Sequence, residues 1–453
     1  MKLLHVKKVI VADKVRLAGT VKLESSEQEI ELYFEYPERF ANFVNESADA
    51  FVPALLLPAM SKGENLEIAG SISEKLFRNL EIIQNIFHQW YPSHLKKVLV
   101  HAESLTKLEK NSSQKVGSFF SLGVDSFYTL LKHVNAKNNS GPALSHLIYM
   151  KGLERPLHVY KHGQEQEVIS RVTDVANQTG TDCIVGETNI RDHFRLSWGP
   201  HYHGAGLASV ALSLSAGLES VLIPSTDFYK NIFPWGTSPL LDHLWSTEKT
   251  NVVHDGSEAQ RSEKIIYSLA KAPLAMKHLR VCTNNAGGMN NCGTCPKCVR
   301  TMLPLVISGD LDKATTFPDR LPSNWTRIVQ INEAHDLPHA EVFLQLAKDF
   351  NADKKLIKAL EDKIENGRAA LFCKGRNFAA IQASVFHFYL IKQTIDLIKH
   401  PLKNTLKRMS VLEAGQRSRL RQSLRAMLSL GKRGPSRQLE EPAMPSEPTT
   451  REA

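Results

Sequence analysis

The sequence predicts an α/β fold with a doubly wound parallel sheet, preceded by an N-terminal α+β domain and followed by a C-terminal helical region. A short apolar run over 116–120 breaks at a glycine-containing turn, after which apolar residues recur at helical spacing from Phe127 to Val134. The same alternation continues to about residue 282. Because strands that alternate with helices form parallel sheets covered on both faces, we expect ligands at the carboxyl ends of the strands.

The elements of the central domain, 112–320, follow in order from this pattern. Further strands are predicted at 144–150, 183–185, 221–224 and 278–282. Further helices are predicted at 164–178, 203–216 and 258–270. The turn after the first strand therefore lies at the edge of the sheet where ligands are expected.

The flanking segments show different patterns. In the N-terminal segment, 1–111, strands are predicted at 15–23, 30–36 and 97–101 and a helix at 73–90. We expect this segment to form a separate α+β domain. Helical patterns at 342–350 and 378–398 predict a helical domain, 321–400, that serves as a cap or as a homodimer surface.

The remaining residues, 401–453, form a basic tail that is predicted to be partly disordered. The chain has a net charge of +9, and residues 391–453 carry 13 Lys and Arg against 6 Asp and Glu. The tail could therefore bind nucleic acid, anionic lipid or a partner protein. A solvated helix that ends in a disordered segment is an equal alternative.

Length and composition set limits on the class of protein. With 453 residues and 42% hydrophobic residues, the chain can bury the cores of two or three domains. No apolar run reaches the roughly 18 residues that a membrane span needs, and charges interrupt the N-terminal apolar stretch. We expect a cytoplasmic protein with reduced thiols, in which Cys183 and Cys373 are core residues.

The turn after the first strand has the composition of a phosphate-binding loop. Ser121, Gly123, Asp125 and Ser126 lie between the predicted strand and helix. Backbone N–H groups at a helix N-terminus favour an anion, because they are unpaired and the helix dipole adds to their charge. The alternative is a simple strand-to-helix turn in which Asp125 or Ser126 caps the helix.

Four of the six cysteines form a predicted metal site. Cys282, Cys292, Cys295 and Cys298 have short spacings that let their thiolates converge on one tetrahedral ion. Four protein ligands close the coordination sphere, so the sequence predicts a structural zinc site. An iron–sulfur cluster or disulfides are the alternatives.

Residues 116–305 resemble the 7-cyano-7-deazaguanine synthase branch of the PP-loop ATP pyrophosphatase superfamily. The loop from Ser121 to Ser126 resembles the superfamily's phosphate-loop signature, with Leu122 in place of a glycine. A positive φ at Leu122 is therefore expected to be strained. The other matching segments are Tyr149–Gly152, Leu222–Asp227, Phe233–Trp235 and the four cysteines.

The resemblance implies a PP-loop fold of the HUP type and a reaction that splits ATP into AMP and pyrophosphate. In such a reaction the enzyme adenylates a carboxylate or carbonyl oxygen, and a nitrogen nucleophile then displaces AMP to form an amide or nitrile. The small-molecule substrate is left open, because Trp198–Gly204 stands where the family usually has an Arg-Asn pair.

The reaction implied by the resemblance also assigns roles to residues. The ATP-binding loop would consist of Ser121, Leu122, Gly123, Val124, Asp125 and Ser126. Asp125 would hold Mg²⁺, because a carboxylate by itself repels phosphate. Arg261 and Lys264 lie one helical turn apart and could both face the pyrophosphate, although basic helix residues are more often solvated.

Other polar residues are weaker candidates. Asp227 and Asp255 are either further magnesium or substrate ligands or ordinary turn formers. His201 and His203 are expected to contact substrate or cap a helix, since no nearby carboxylate completes a metal site. Two other functions stay open: an enzyme that modifies RNA bases, and a zinc-containing protein that binds nucleotides or nucleic acid without catalysis.

Overall fold

The structure is a computed structural model that describes residues 1–24, 28–110, 113–134, 143–159, 165–282, 284 and 290–373. Residues 1–371 form one compact unit. The predicted helix at 378–398 and the basic tail lie outside the described residues.

Ten strands form one sheet in the order β10-β9-β6-β7-β8-β3-β2-β1-β4-β5. The strands are β1 (Lys2–Val11), β2 (Lys14–Lys22), β3 (Glu29–Pro37), β4 (Leu66–Ser73), β5 (Val100–Thr106), β6 (Val116–Phe119), β7 (Leu144–Lys151), β8 (Asp182–Thr188), β9 (Ser220–Pro224) and β10 (Asn251–Asp255). Strands β6 to β10 pair in parallel with one another, whereas β8, β3, β2 and β1 pair in antiparallel fashion. The predicted α/β class is confirmed, with a large and mostly parallel sheet.

Helices cover this sheet on both faces. They are α1 (Phe51–Lys62), α2 (Glu74–Trp90), α3 (Val124–Val134), α4 (Gln166–Thr179), α5 (His203–Ser213), α6 (Arg261–Glu263), α7 (Pro273–His278), α8 (Pro296–Ser308), α9 (Trp325–Ile328) and α10 (Leu337–Asp349). A further helix spans 354–373 within the described residues. Alternate residues of β7 enter two different cores: Ile148 packs with α1 and α5, whereas Leu147 and Tyr149 pack with α3 and α4. Burial on both faces is what keeps these parallel strands apolar.

The strand order determines where a ligand can bind. Strand β6 lies between β7 and β9, so the chain reverses its direction of travel across the sheet at β6. In open parallel sheets such a reversal leaves a crevice at the carboxyl ends of the two neighbouring strands. The loops that follow β6 and β9 therefore flank the candidate site.

Most predicted elements of the central domain are confirmed, with three differences. The predicted strand at 278–282 is wrong, because Pro273 starts a helix that ends at His278 and the N–H groups of Val281 and Cys282 bond to the Asn291 side chain. The helix predicted from residue 258 begins at Arg261, because Gln260 caps it. Strand β10 was not predicted.

The N-terminal segment contributes to the same sheet as the central domain. Strand β3 pairs with β8 through Phe34–Thr188 and Glu35–Glu187. The predicted strands at 15–23 and 30–36 and the helix at 73–90 are confirmed, whereas the strand predicted at 97–101 begins at Val100. The domain boundaries at 111 and 320 stay predictions, but strands from both sides of residue 111 share one sheet.

Candidate functional site

The loop between β6 and α3 has an unusual backbone conformation at Leu122. Its φ is 63°, in the left-handed region that the sequence indicated would be strained for a leucine. A residue with a Cβ pays roughly 1–2 kcal/mol in this conformation. Burial offsets the cost, because the Leu122 side chain is fully buried and its carbonyl accepts a hydrogen bond of 2.8 Å from the Arg280 N–H. Strained residues of this kind cluster at functional sites.

The side chain of Ser126 closes this loop from within. Its hydroxyl donates to the Gly123 carbonyl at 3.0 Å and accepts from the Ser121 N–H at 3.3 Å. The Phe127 N–H donates to the same carbonyl at 3.0 Å, which starts the helical ladder of α3. The loop is therefore a closed turn at the N-terminus of an 11-residue helix.

Asp125 lies between the two cations that the sequence singled out. Its carboxylate accepts hydrogen bonds from Arg261 at 2.5 Å and from Lys264 at 3.4 Å. Burial alone would raise the Asp125 pKa, but the charges of Arg261 and Lys264 outweigh it and hold the pKa below its usual range. The structure thus brings Asp125, Arg261 and Lys264 together at the start of α3.

Lys264 connects the loop after β6 with the loop after β9. Its side chain is buried, and its ammonium donates to the Ser225 carbonyl at 2.6 Å. The ammonium also lies 5.2 Å from the centre of the Tyr128 ring, where a cation is attracted by the ring face. Burial, and then the Arg261 charge, lower the Lys264 pKa, whereas Asp125 opposes the shift.

A buried Asp–His–Ser relay fixes the loop after β9. Asp242 accepts a hydrogen bond of 2.7 Å from His254 Nδ1, and His254 Nε2 lies 2.9 Å from the Ser257 hydroxyl. Ser257 in turn lies 2.9 Å from the Asp227 carbonyl. Ser257 is 3% exposed, and the adjoining cavity of about 20 Å³ holds no more than a water molecule. The relay therefore holds the backbone in place and has no room for an acyl substrate.

The two candidate aspartates have protein partners. Asp255 accepts hydrogen bonds from Thr129 at 2.7 Å, Lys132 at 2.9 Å and His133 at 3.0 Å, so both carboxylate oxygens are used in tying β10 to α3. Asp227 lies 3.3 Å from His339 Nε2. Among the described residues, the four cysteines are the one group of three or more His, Cys, Asp or Glu that could hold a metal.

Two arginines that the sequence did not indicate lie next to Glu154. Arg280 is buried, its N–H donates to the Leu122 carbonyl, and its guanidinium lies 3.2 Å from Glu154 Oε2. Arg191 donates to the Glu154 carbonyl at 2.7 Å and lies 4.4 Å from the centre of the Trp198 ring. These residues come from separate loops, so no local sequence motif predicts that they lie together.

Lys297 also faces this region, although it lies between two of the cysteines. Desolvation and the Arg261 charge lower its pKa, and Glu154 and Asp125 oppose that shift. Burial, and then the Lys297 charge, lower the pKa of His203 to about 4. His203 packs against the Trp198 ring with centres 5.1 Å apart, whereas His201 packs edge-on against Tyr91 with ring centres 4.5 Å apart. Two residues apart in sequence, the histidines have separate surroundings.

The four cysteines converge as the spacing predicted. Their sulfurs all lie within 4.8 Å of one another, and Cys292 Sγ is 3.9 Å from Cys298 Sγ. Tetrahedral zinc with bonds of about 2.3 Å would separate sulfurs by roughly 3.8 Å. The N–H of Cys295 points at Cys292 Sγ from 3.3 Å and favours its thiolate. This donor set fits a metal such as zinc.

Asn291 brings the first cysteine to the other three. Its side-chain oxygen accepts from the N–H groups of Val281 and Cys282 at 2.9 and 3.1 Å. Its amide nitrogen donates to the Leu279 carbonyl at 2.9 Å. Asn291 is buried, and it holds 279–282 in the extended path that places Cys282 in the cluster.

The two remaining cysteines differ from each other. Cys183 is buried, as predicted, and desolvation raises its pKa to about 11. Cys373 is exposed, so the prediction that it lies in the core is wrong. Apolar neighbours in sequence, such as Leu371 and Phe372, did not indicate burial, because Phe372 is itself 67% exposed.

Comparison with known proteins gives no match: no family model, curated protein or solved structure resembles the chain closely enough to be reported. Within the described part of the chain, every helix is too short or too polar to cross a membrane.

Proposed function

We propose that this protein is an ATP-dependent adenylating enzyme of the PP-loop type that forms AMP and pyrophosphate. The observation that carries the proposal is the loop from Ser121 to Ser126. It lies at the reversal point of the parallel sheet, has a left-handed residue at Leu122 and places Asp125 against two cations. This combination supports the binding of a polyphosphate, since N–H groups at a helix N-terminus and fixed cations both favour it.

The site residues have distinct roles in the proposed reaction. An oxygen of the substrate attacks the α-phosphorus, and the bond to the departing pyrophosphate breaks. Arg261 and Lys264 balance the charge on the pyrophosphate as it leaves. A nitrogen nucleophile then attacks the activated carbon, the bond to AMP breaks, and the nitrogen loses a proton. The product is an amide-type bond.

Asp125 holds Arg261 and Lys264 near the loop in the absence of nucleotide. When the phosphates attract both cations, the carboxylate oxygens become available to a metal ion. Magnesium held there would neutralise charge on the phosphates. The four cysteines would hold zinc in a closed, structural site, because no coordination position is left for substrate.

Cys183 argues against the alternative of RNA base thiolation. That reaction needs a reactive cysteine near the loop. The reactive form of cysteine is the thiolate, so its pKa must be low enough for the thiol to ionise. Cys183 is buried with a raised pKa, so it is a poor nucleophile. Cys183 is therefore not the nucleophile that thiolation needs, and we propose a ligase that uses a nitrogen nucleophile.

Product analysis tests the proposal. The full-length protein is incubated with ATP, Mg²⁺ and a small-molecule cell extract, and AMP, ADP, pyrophosphate and phosphate are measured. We expect AMP and pyrophosphate from the wild type and a loss of at least a hundredfold in Asp125→Asn. Glu341→Gln is the control, since Glu341 pairs with Arg368 at the surface. Equal turnover by Asp125→Asn would contradict the proposal.

A further inference from the structure

We infer that His339, on α10, is a positioning residue for Arg261 and Lys264, an inference that rests on the proposed function of the site. The helix α10 follows the central domain in sequence, and His339 reaches back to two parts of that domain. It contacts Gln260, which immediately precedes Arg261, and Asp227, in the loop after β9.

The two ring nitrogens of His339 have different partners. Gln260 Nε2 lies 3.0 Å from His339 Nδ1, whereas Asn231 Nδ2 and Asp227 Oδ1 each lie 3.3 Å from His339 Nε2. The Phe228 ring packs against the imidazole with centres 5.5 Å apart. The imidazole thus spans the gap between the start of α6 and the loop after β9.

The orientation of Gln260 determines which ring nitrogen carries the proton. Its side-chain oxygen accepts from the Ser262 N–H as the cap of α6, and its backbone N–H donates to Glu263 Oε2 at 2.7 Å. The amide NH₂ group must therefore face His339 and donate to Nδ1. In the neutral imidazole, Nε2 then carries the hydrogen, and the Asp227 carboxylate lies 3.3 Å from it.

These contacts extend a chain of hydrogen bonds beside the site, which the ion-pair contact between His339 and Asp227 closes into a ring. The Lys264 N–H donates to the Gln260 carbonyl at 2.9 Å, and the Lys264 ammonium donates to the Ser225 carbonyl at 2.6 Å. The Ser225 hydroxyl donates to the Asp227 carbonyl at 2.7 Å. His339 supplies the connection from Asp227 back to Gln260.

Because His339 holds Gln260, it also affects the positions of Arg261 and Lys264. Arg261 is the first residue of α6, and its guanidinium contacts Asp125. If Gln260 loses its lateral contact, the first turn of α6 can shift relative to the phosphate loop. Displacing a catalytic group by about 1 Å costs roughly a hundredfold in rate.

His335 provides a matched control. It lies one turn before His339, and its ring stacks on Phe233 with centres 4.4 Å apart and planes at 10°. Its carbonyl accepts from Asn231 at 3.1 Å. His335 therefore packs against the loop after β9, but no hydrogen bond joins its side chain to the Gln260 cap in the described structure.

The test compares His339→Ala, His339→Asn and His335→Ala in the full-length protein, with AMP formation as the assay. We expect His339→Ala to lower kcat by tenfold to a hundredfold, with a smaller change in KM for ATP, because Arg261 and Lys264 act on the leaving pyrophosphate. His339→Asn should restore most of kcat, since an Asn oxygen can replace Nδ1 as acceptor for Gln260. His335→Ala should stay within about threefold of wild type. An unchanged kcat in His339→Ala, or equal losses in the three variants, overturns the inference.

Amide hydrogen exchange separates this inference from the proposed function. His339→Ala should speed exchange at residues 261–271 relative to both wild type and His335→Ala, whether or not ATP is a substrate. A wild-type protein that forms no AMP would refute the adenylation proposal, whereas faster exchange in the same samples would still support the anchoring by His339. Unchanged exchange at 261–271 overturns it. Equal zinc content of all variants confirms that they are folded.

Discussion

Replacing Leu122 by glycine and by alanine should reverse the usual order of stability of these two residues. Leu122 is fully buried with φ at 63°. Both variants lose the buried side chain, at a cost of about 2–5 kcal/mol. Only glycine relieves the left-handed backbone, which is strained by roughly 1–2 kcal/mol for a residue with a Cβ.

The difference between the two variants isolates the backbone conformation. At an ordinary helix or strand position, glycine is less stable than alanine by about 0.5–1 kcal/mol. At position 122, we expect Leu122→Gly to be more stable than Leu122→Ala by about 1 kcal/mol. Urea unfolding followed by circular dichroism measures this difference. The urea concentrations at the two unfolding midpoints give the difference in stability, provided that both variants have the same dependence of unfolding free energy on urea. A variant pair in which alanine is equally stable or more stable refutes the left-handed assignment.

Three further predictions follow from the site. Asn291→Ala should weaken zinc binding roughly 10–100-fold, because Asn291 positions the backbone of Cys282. Competition with a chromophoric chelator measures the zinc affinity, and an unchanged affinity would contradict this role of Asn291. Cys292→Ser should lower the zinc content from about one ion per chain towards zero and reduce the unfolding temperature. Metal analysis and calorimetry measure these two quantities, and full zinc content in the variant would contradict the four-cysteine site. Asp255→Asn should reduce the unfolding free energy by about 1–3 kcal/mol at neutral pH, because Thr129, Lys132 and His133 lose the carboxylate that they share, although Lys132 keeps its bond to Glu258. These hydrogen bonds hold the pKa of Asp255 in the folded protein below its usual range despite burial. The Asp255 carboxylate therefore stabilises the fold at pH values above its pKa in the unfolded chain, and this stabilisation is lost as the pH falls through its pKa in the folded protein. Urea unfolding across the acidic range should therefore show the deficit of Asp255→Asn shrinking, and a constant deficit contradicts the assignment.

The sequence was most informative where the chemistry is local. The strand, turn and helix around residues 116–134 are contiguous, so hydrophobic spacing was enough to predict them. The short spacing of the cysteines likewise predicted their convergence, because few residues separate the ligands. The left-handed conformation of Leu122 was not itself predicted, only that such a conformation would be strained there.

Long-range pairing explains most of what could not be predicted. Strand β3 joins β8 at Glu35 and Glu187, about 150 residues apart, and no local pattern reports such a pairing. Strand β10 is only five residues long, and its last residue is the charged Asp255. The predicted strand at 278–282 was wrong because the Asn291 side chain takes the N–H groups that a neighbouring strand would have taken.

In the candidate site, too, residues within local patterns could be predicted, whereas residues from distant segments could not. Asp125, Arg261 and Lys264 were singled out from the reaction that the resemblance implies and from helical spacing, and the structure places them together. His339 and Arg280 were missed, because each reaches the site from a distant segment. Lys297 offered a signal that could have been used, since it lies inside the cysteine motif and its charge interacts with Arg261 and Asp125.

Phosphorus-31 NMR of ATP turnover tests the central claim most directly. With full-length protein, Mg²⁺ and the small-molecule extract, we expect pyrophosphate and AMP to appear in equal amounts, with turnover retained in Glu341→Gln and abolished in Asp125→Asn. Formation of ADP and inorganic phosphate, or of AMP and pyrophosphate at the same rate in Asp125→Asn, would contradict an adenylating role for this site.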